Sequence, residues 1–316
     1  MKYRFTTTTL ALALSAALFG TSTIATADSH SELTASVRIG LTYQETTGDD
    51  GEIFLRNFGT RLKWKGKRAI NDDLTAIGYV ELGLNPDTNQ RNVPDASSGA
   101  DRTRQLWAGV KGGFGTVRVG AQYASFYDTI SSNTDIAWWG SCWTQFECAR
   151  ETNVIKYNAT RGDLSYSASI VAPEDDDDNF ADQFELGINY VWDEYTFGIA
   201  TSIQADSGDN DGGSLLGLMA KGDLGPLGVA LTLQRADADF AGDDDSANNL
   251  TVAATHGNYY LIMNSGDNVD GTTDFATLGY TYKVSSNALM YFEYQNVSND
   301  NSSDDTFARA TFKLDF

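Results

Sequence analysis

The stretches 164–170 (LSYSASI) and 184–190 (FELGINY) place a large or apolar residue at every second position. In the first, Leu164, Tyr166, Ala168 and Ile170 share one face while Ser165, Ser167 and Ser169 share the other. In the second, Phe184, Leu186, Ile188 and Tyr190 oppose Glu185, Gly187 and Asn189. A period of two belongs to a β-strand whose faces meet different surroundings. Working outward, the pattern recurs from Leu33 onward in about sixteen segments. Ala288, Met290, Phe292 and Tyr294 oppose Glu293 and Gln295; Ala310, Phe312, Leu314 and Phe316 oppose Arg309, Thr311, Lys313 and Asp315. The second face is polar, small or charged, and is expected never to form a core.

A soluble sandwich also alternates, but a second face that is nowhere apolar fits a membrane barrel with lipid outside and water inside. In a bilayer only helices and closed barrels satisfy every backbone group, and no segment after the first few dozen residues is apolar enough to span as a helix. The connections agree. Short ones at Asn71-Asp72, Gly112-Gly113, Arg161-Gly162, 192–194, 222–226, His256-Gly257 and Ser285-Ser286 alternate with long polar ones near 44–52, 85–101, 124–150, 173–181, 205–213, 236–247, 265–272 and 296–305. Eight long loops imply an all-β, 16-stranded antiparallel transmembrane β-barrel, wide enough for an aqueous channel. Tyr43, Trp64, Trp107, Tyr157, Trp192, Tyr195, Tyr259 and Tyr282 fall near strand ends, at headgroup level.

Residues 1–27 carry Lys2 and Arg4, then an apolar run, then small residues at Ala25 and Ala27, the pattern of a secretory signal peptide. The barrel domain is then 28–316. Across the whole chain 22 basic residues face 43 acidic ones, a net charge of −21, which excludes nucleic acid as a partner. The acidic runs near 48, 173 and 242 sit on loop tips. With two histidines, His30 and His256, the chain offers little for a triad or a histidine-rich metal site. No cofactor and no metal is expected.

Residues 124–150 (ASFYDTISSNTDIAWWGSCWTQFECAR) break the alternation. A loop this long is functional or disordered, and its aromatics, including Trp138, Trp139 and Trp143, argue for a packed one. Cys142 and Cys148, close together in an exported chain, are expected to pair.

Three local features resemble the general diffusion porins of Gram-negative outer membranes. The run 60–82 (TRLKWKGKRAINDDLTAIGYVEL) looks like that family's second hairpin. The run 102–128 (RTRQLWAGVKGGFGTVRVGAQYASFYD) is similar to the strand pair leading into its long third loop. The terminal Phe316, with apolar residues alternating before it, looks like the signal read by the barrel-assembly machinery. The resemblance implies an outer-membrane homotrimer of water-filled barrels, with the third loop folded into each lumen and acids on it facing a basic wall. Carried over, Arg61, Arg104 and Arg150 match the basic side, with Arg38 added by a rougher match and by strand parity. Parity alone adds Lys63 and Arg118. Asp128 follows Tyr127 as in the family, while Asp135 and Glu147 are placed by lying on the loop. The family's Pro-Glu-Phe-Gly-Gly stretch is absent, and Gly120-Ala121-Gln122 stands where an arginine is frequent after the glycine.

Parity turns Trp64, Phe184, Phe292 and Phe312 toward lipid or a neighbouring barrel and Arg61, Glu185, Glu293 and Lys313 toward water. The expected function is passive diffusion of small hydrophilic solutes and ions, with modest cation selectivity that weakens as salt rises. A sugar-specific porin using Trp138, Trp139 and Trp143 as a slide is the alternative. An outer-membrane hydrolase built on acids such as Asp244 and Asp245 would lack a placed histidine base; the chain is not expected to be an enzyme.

Overall fold

The computed structural model describes residues 29–84, 101–138, 140–142, 144–173, 180–206, 212–242, 245–268 and 271–316. The signal segment, most of the 85–101 loop, Trp139, Trp143, the run from Asp175 to Asp178 and Asp244 lie outside the described residues.

The strands in chain order are β1 (Ser29–Thr46), β2 (Glu52–Asn57), β3 (Arg61–Ala69), β4 (Thr75–Leu84), β5 (Asp101–Gly112), β6 (Gly115–Gln122), β7 (Glu151–Arg161), β8 (Leu164–Val171) and β9 (Gln183–Trp192). They continue as β10 (Tyr195–Gln204), β11 (Gly213–Leu224), β12 (Leu227–Ala236), β13 (Ala247–His256), β14 (Tyr259–Asn268), β15 (Gly271–Lys283), β16 (Ala288–Asn299) and β17 (Asp305–Asp315). From β3 onward each strand pairs antiparallel with the next in sequence. β1 pairs with β17 over residues 36–46 on one edge, and with β2 and β3 on the other, so the sheet closes on itself. β2 and β3 are halves of one wall strand interrupted at 58–60, where the Phe58 amide still donates to the Arg38 carbonyl at 2.9 Å. The wall therefore has sixteen strands.

Alternation decides what each face meets. Leu186, Ile188, Leu216, Leu218, Leu231, Leu233, Phe292 and Phe312 are large, apolar and exposed on the outside. Between them Glu185, Gln234, Asn249, Thr251 and Gln295 are fully buried. No helix among the described residues is long and apolar enough to cross a membrane.

Two expectations are corrected. β14 runs to Asn268 and β15 starts at Gly271, so the 265–272 connection is short. The inner face also carries cores: Ala200, Leu215 and Met219 pack against Phe126 and Ile130 of the long loop, and Ile262, Phe275, Val297 and Phe307 form a second cluster against Ala137. The physical reason is that the loop, not water, covers this part of the wall.

Candidate functional site

The loop after β6 turns into a short helix, Ser125–Thr129, and then a 3-10 turn, Ser131–Asn133. These have no strand partners, so their backbone groups bond to polar side chains of the wall, as buried amides must. The Phe126 N–H donates to Glu185 Oε2 at 2.7 Å and the Ser125 N–H to Ser169 Oγ at 2.9 Å. Further along, the Phe146 N–H donates to Gln234 Oε1 at 3.0 Å and the Trp138 N–H to Glu293 Oε1 at 2.6 Å. Asn249 Nδ2 donates to the Thr144 carbonyl at 2.8 Å. The loop thus lies along the polar face from β8 to β16. Glycines make room for it: a Cβ at Gly187 would sit 2.0 Å from Thr129 Oγ1, and one at Gly217 2.6 Å from the Phe126 ring.

Lys156 on β7 is fully buried and ties down the start of the loop. Its Nζ donates to the Tyr123 and Ala124 carbonyls at 3.0 and 2.9 Å and to Asp128 Oδ2 at 2.5 Å. Three acceptors suit the three donors of an ammonium. Arg118 belongs to this group: it donates to Asn158 Oδ1 at 3.1 Å, stands 3.9 Å from Asp128, and lies over the Trp107 ring.

The other loop acids also have partners of their own. Asp135 accepts from Tyr127 Oη at 2.8 Å and from the Ser141 hydroxyl. Glu147 is buried against β9, where Gln183 Nε2 donates to it at 2.7 Å and to Glu185 at 2.9 Å. Burial first, and then the Glu185 and Glu151 carboxylates, push the Glu147 carboxyl well above its ordinary value. The loop also holds the Cys142–Cys148 disulfide, closing a small ring over a sequence separation of 6.

A basic group on β3 and β5 is organised by Glu81 on β4. Arg61 Nη1 donates to Glu81 Oε1 at 3.0 Å and Arg104 Nε at 2.6 Å; Tyr79 Oη donates to Oε2 at 2.7 Å, and Lys63 Nζ is 3.7 Å away. Two arginines flank the group without reaching Glu81. The Arg38 guanidinium lies 4.7 Å from the centre of the Trp138 ring, which stacks on Tyr291 at 4.2 Å. Arg150 lies 4.3 Å from the centre of Tyr123, which stacks on Tyr127 at 3.8 Å. Sequence reading missed Glu81, Lys156 and the aromatic partners Tyr123 and Tyr291. For Glu81 a signal existed, since parity turns it inward and the short β3–β4 turn sets it opposite Lys63.

A sequence profile described as Gram-negative porin matches residues 11–302. The chain belongs to the Gram-negative porin family. It is therefore an outer-membrane porin, and its relatives are channels. It is 28% identical to the outer membrane porin protein OmpD of Citrobacter koseri over 71% of this chain and 61% of that one. It is 27% identical to the putative outer membrane porin protein NmpC of Escherichia coli over 74% and 66%. The porin thus spans about three fifths to two thirds of the length of these curated relatives. Its fold matches an anion-selective porin from Comamonas acidovorans with a TM-score of 0.74, at 16% identity, over 92% of this chain and 100% of that one. The outer membrane channel DcaP of Acinetobacter baumannii matches at 0.70 and 13% identity, over 91% and 97%.

Proposed function

We propose that this porin forms a water-filled channel for passive diffusion of small hydrophilic solutes and ions, works as a homotrimer, and uses the 123–150 loop as its constriction. The carrying observation is the division of the polar face: one part is covered by the docked loop, while the side chains of Arg61, Lys63 and Arg104 remain 15%, 29% and 26% exposed. A charged, wet passage of this kind sorts solutes by size and by electrostatic barrier. Outward apolar residues meet outer-membrane lipid, and the barrel-assembly machinery inserts the chain.

Ion selectivity is a contest between two charge sets. The chain's −21 excess, with acidic runs on loops assigned to the pore mouth, enriches cations there. The basic wall opposes this closer to the narrowest point. Charges more than about 8 Å away are screened at physiological salt, so cation preference is expected in dilute potassium chloride and should weaken as salt rises. Reversal potentials across a planar bilayer test this; chloride selectivity in dilute salt would overturn mouth control. The same bilayers, together with liposome swelling by sugars of increasing size, test the channel itself. A sugar slide on Trp138 is disfavoured, because its ring is already stacked on Tyr291 and carries the Arg38 guanidinium.

A further inference from the structure

Charge is one property of the basic wall; the planar shape of its arginines is another. Glu81 already accepts from Arg61, Arg104 and Tyr79. Arg38 and Arg150 have no carboxylate salt-bridge partner among the described residues. Arg38 commits its Nε to Ser36 Oγ at 2.8 Å, and its terminal nitrogens have no acceptor among the described residues. Each guanidinium instead lies on an aromatic pair, Arg38 on Trp138 and Tyr291, Arg150 on Tyr123 and Tyr127.

Those pairs are held in place. The Trp138 N–H is bonded to Glu293 and the Tyr127 hydroxyl to Asp135. A second group cannot share the ring face that a stacked ring covers, so each arginine is the outer layer of a three-layer stack. Its remaining face is turned away from the rings, and both arginines are part-exposed. A guanidinium stacks on a flat π-system and binds carboxylates through its N–H edge. Arg104, whose Nε alone is committed to Glu81 among the described residues, is near enough to both Arg38 and Arg150 to act on them electrostatically.

We propose that Arg38 and Arg150 are receptors for planar aromatic carboxylates. The ligand ring becomes the next layer on the guanidinium, and its carboxylate takes the uncommitted N–H groups of the neighbouring arginines. The two faces of the site discriminate differently: the charge accepts any small anion, whereas the plane favours a flat one. This inference rests on the diffusion-channel reading and names a solute class for it.

The test records single-channel currents of the purified porin in bilayers of uncharged lipid at pH 7, with benzoate, cyclohexanecarboxylate or acetate at equal concentration. Stacking worth about 1.4 kcal/mol predicts benzoate interruptions about tenfold longer than those of cyclohexanecarboxylate. In the R38K/R150K double variant, where charge is kept and the plane lost, the ratio should fall to about one. Equal residence of benzoate and cyclohexanecarboxylate in the unaltered porin overturns the proposal, as does a ratio that survives the double substitution. If the variant does not insert, the comparison in the unaltered porin decides alone. If no ion-conducting channel forms at all, the diffusion reading fails; a conducting channel that does not hold benzoate removes only the aromatic-acid site.

Discussion

The polar face of the barrel has two regions with different chemistry. Where the loop is docked, the wall offers Ser169, Gln183, Glu185, Gln234, Asn249 and Glu293, all buried. Where it is not, the wall offers Arg61, Lys63 and Arg104, all part-exposed. Ser169, Glu185, Gln234 and Glu293 accept from the loop's stranded N–H groups and Asn249 donates to a loop carbonyl, so that the wall replaces the strand partners the loop lacks. Guanidiniums offer donors alone, and stay charged in a passage that must remain wet. The side-chain inventory of each strand thus records whether it faces backbone or water.

The comparison breaks most visibly if the covered region is released. Lys156→Met removes the donor to two loop carbonyls and leaves the Asp128 carboxylate, among the described residues, with the distant Arg118 as its ion-pair partner. Unsatisfied carbonyls cost about 1 to 3 kcal/mol each, enough to free the start of the loop. Single-channel recording should then show a larger, noisier conductance; an unchanged trace would mean that the loop is held by its later contacts alone.

The open region is sharpened by Glu81→Gln, which removes the acid at the centre of the basic group. At a distance of about 8 Å and an effective dielectric constant of about 60, one charge shifts chloride and potassium by about 0.7 kcal/mol each in opposite directions, or roughly tenfold in their ratio. The chloride-to-potassium permeability ratio should rise by about that factor. No shift in reversal potential would show that the mouth alone sets selectivity.

The smallest effect comes from pH. Glu147 faces Glu185 and Gln183 on β9 and Glu151 on β7, with Lys156 an electrostatic neighbour of Glu185. Because its value is raised in the docked state, that state binds the proton more tightly than the undocked one. Docking is therefore favoured at low pH, and this contribution is lost as pH rises from the ordinary glutamate value of 4.5 through the raised one. Current noise should grow over that window in the unaltered porin and be flat in Glu147→Gln. A pH dependence that persists in the variant would assign it to another group.

Much of the barrel was legible because period-two alternation is local and recurs in every strand. The docked loop was not, and residues 215–219 (LLGLM) show why. Leu215 and Met219 are apolar on the inner face, which reads as a failed alternation until a loop some ninety residues earlier in the chain is seen to cover them. The basic group was legible in part. Parity gives the face of Arg38, Arg61, Lys63 and Arg118, but not their height, which depends on strand tilt and stagger around the closed ring; Arg104 shares parity with the outward Leu106 and sits at the register shift opposite Glu81 and Leu82, which no alternation foretells. Arg118 accordingly stands with Lys156 and Asp128, while Arg61, Lys63 and Arg104 meet at Glu81. The loop acids Asp135 and Glu147 found partners through the loop's own path, which no periodicity encodes.

The pairing of β1 with β17 joins residues roughly 270 positions apart in eleven consecutive pairs. Closing so long a loop costs only about 2 kcal/mol more than closing a twenty-residue hairpin, since the entropy grows with the logarithm of length. Set against eleven pairs of backbone groups that have no other partner in hydrocarbon, that penalty is small. The seam therefore behaves as a zipper whose first tooth is the hardest, and a barrel left one tooth open exposes an edge that lipid cannot solvate. Half-closed rings should accordingly be rare among molecules that have reached the membrane.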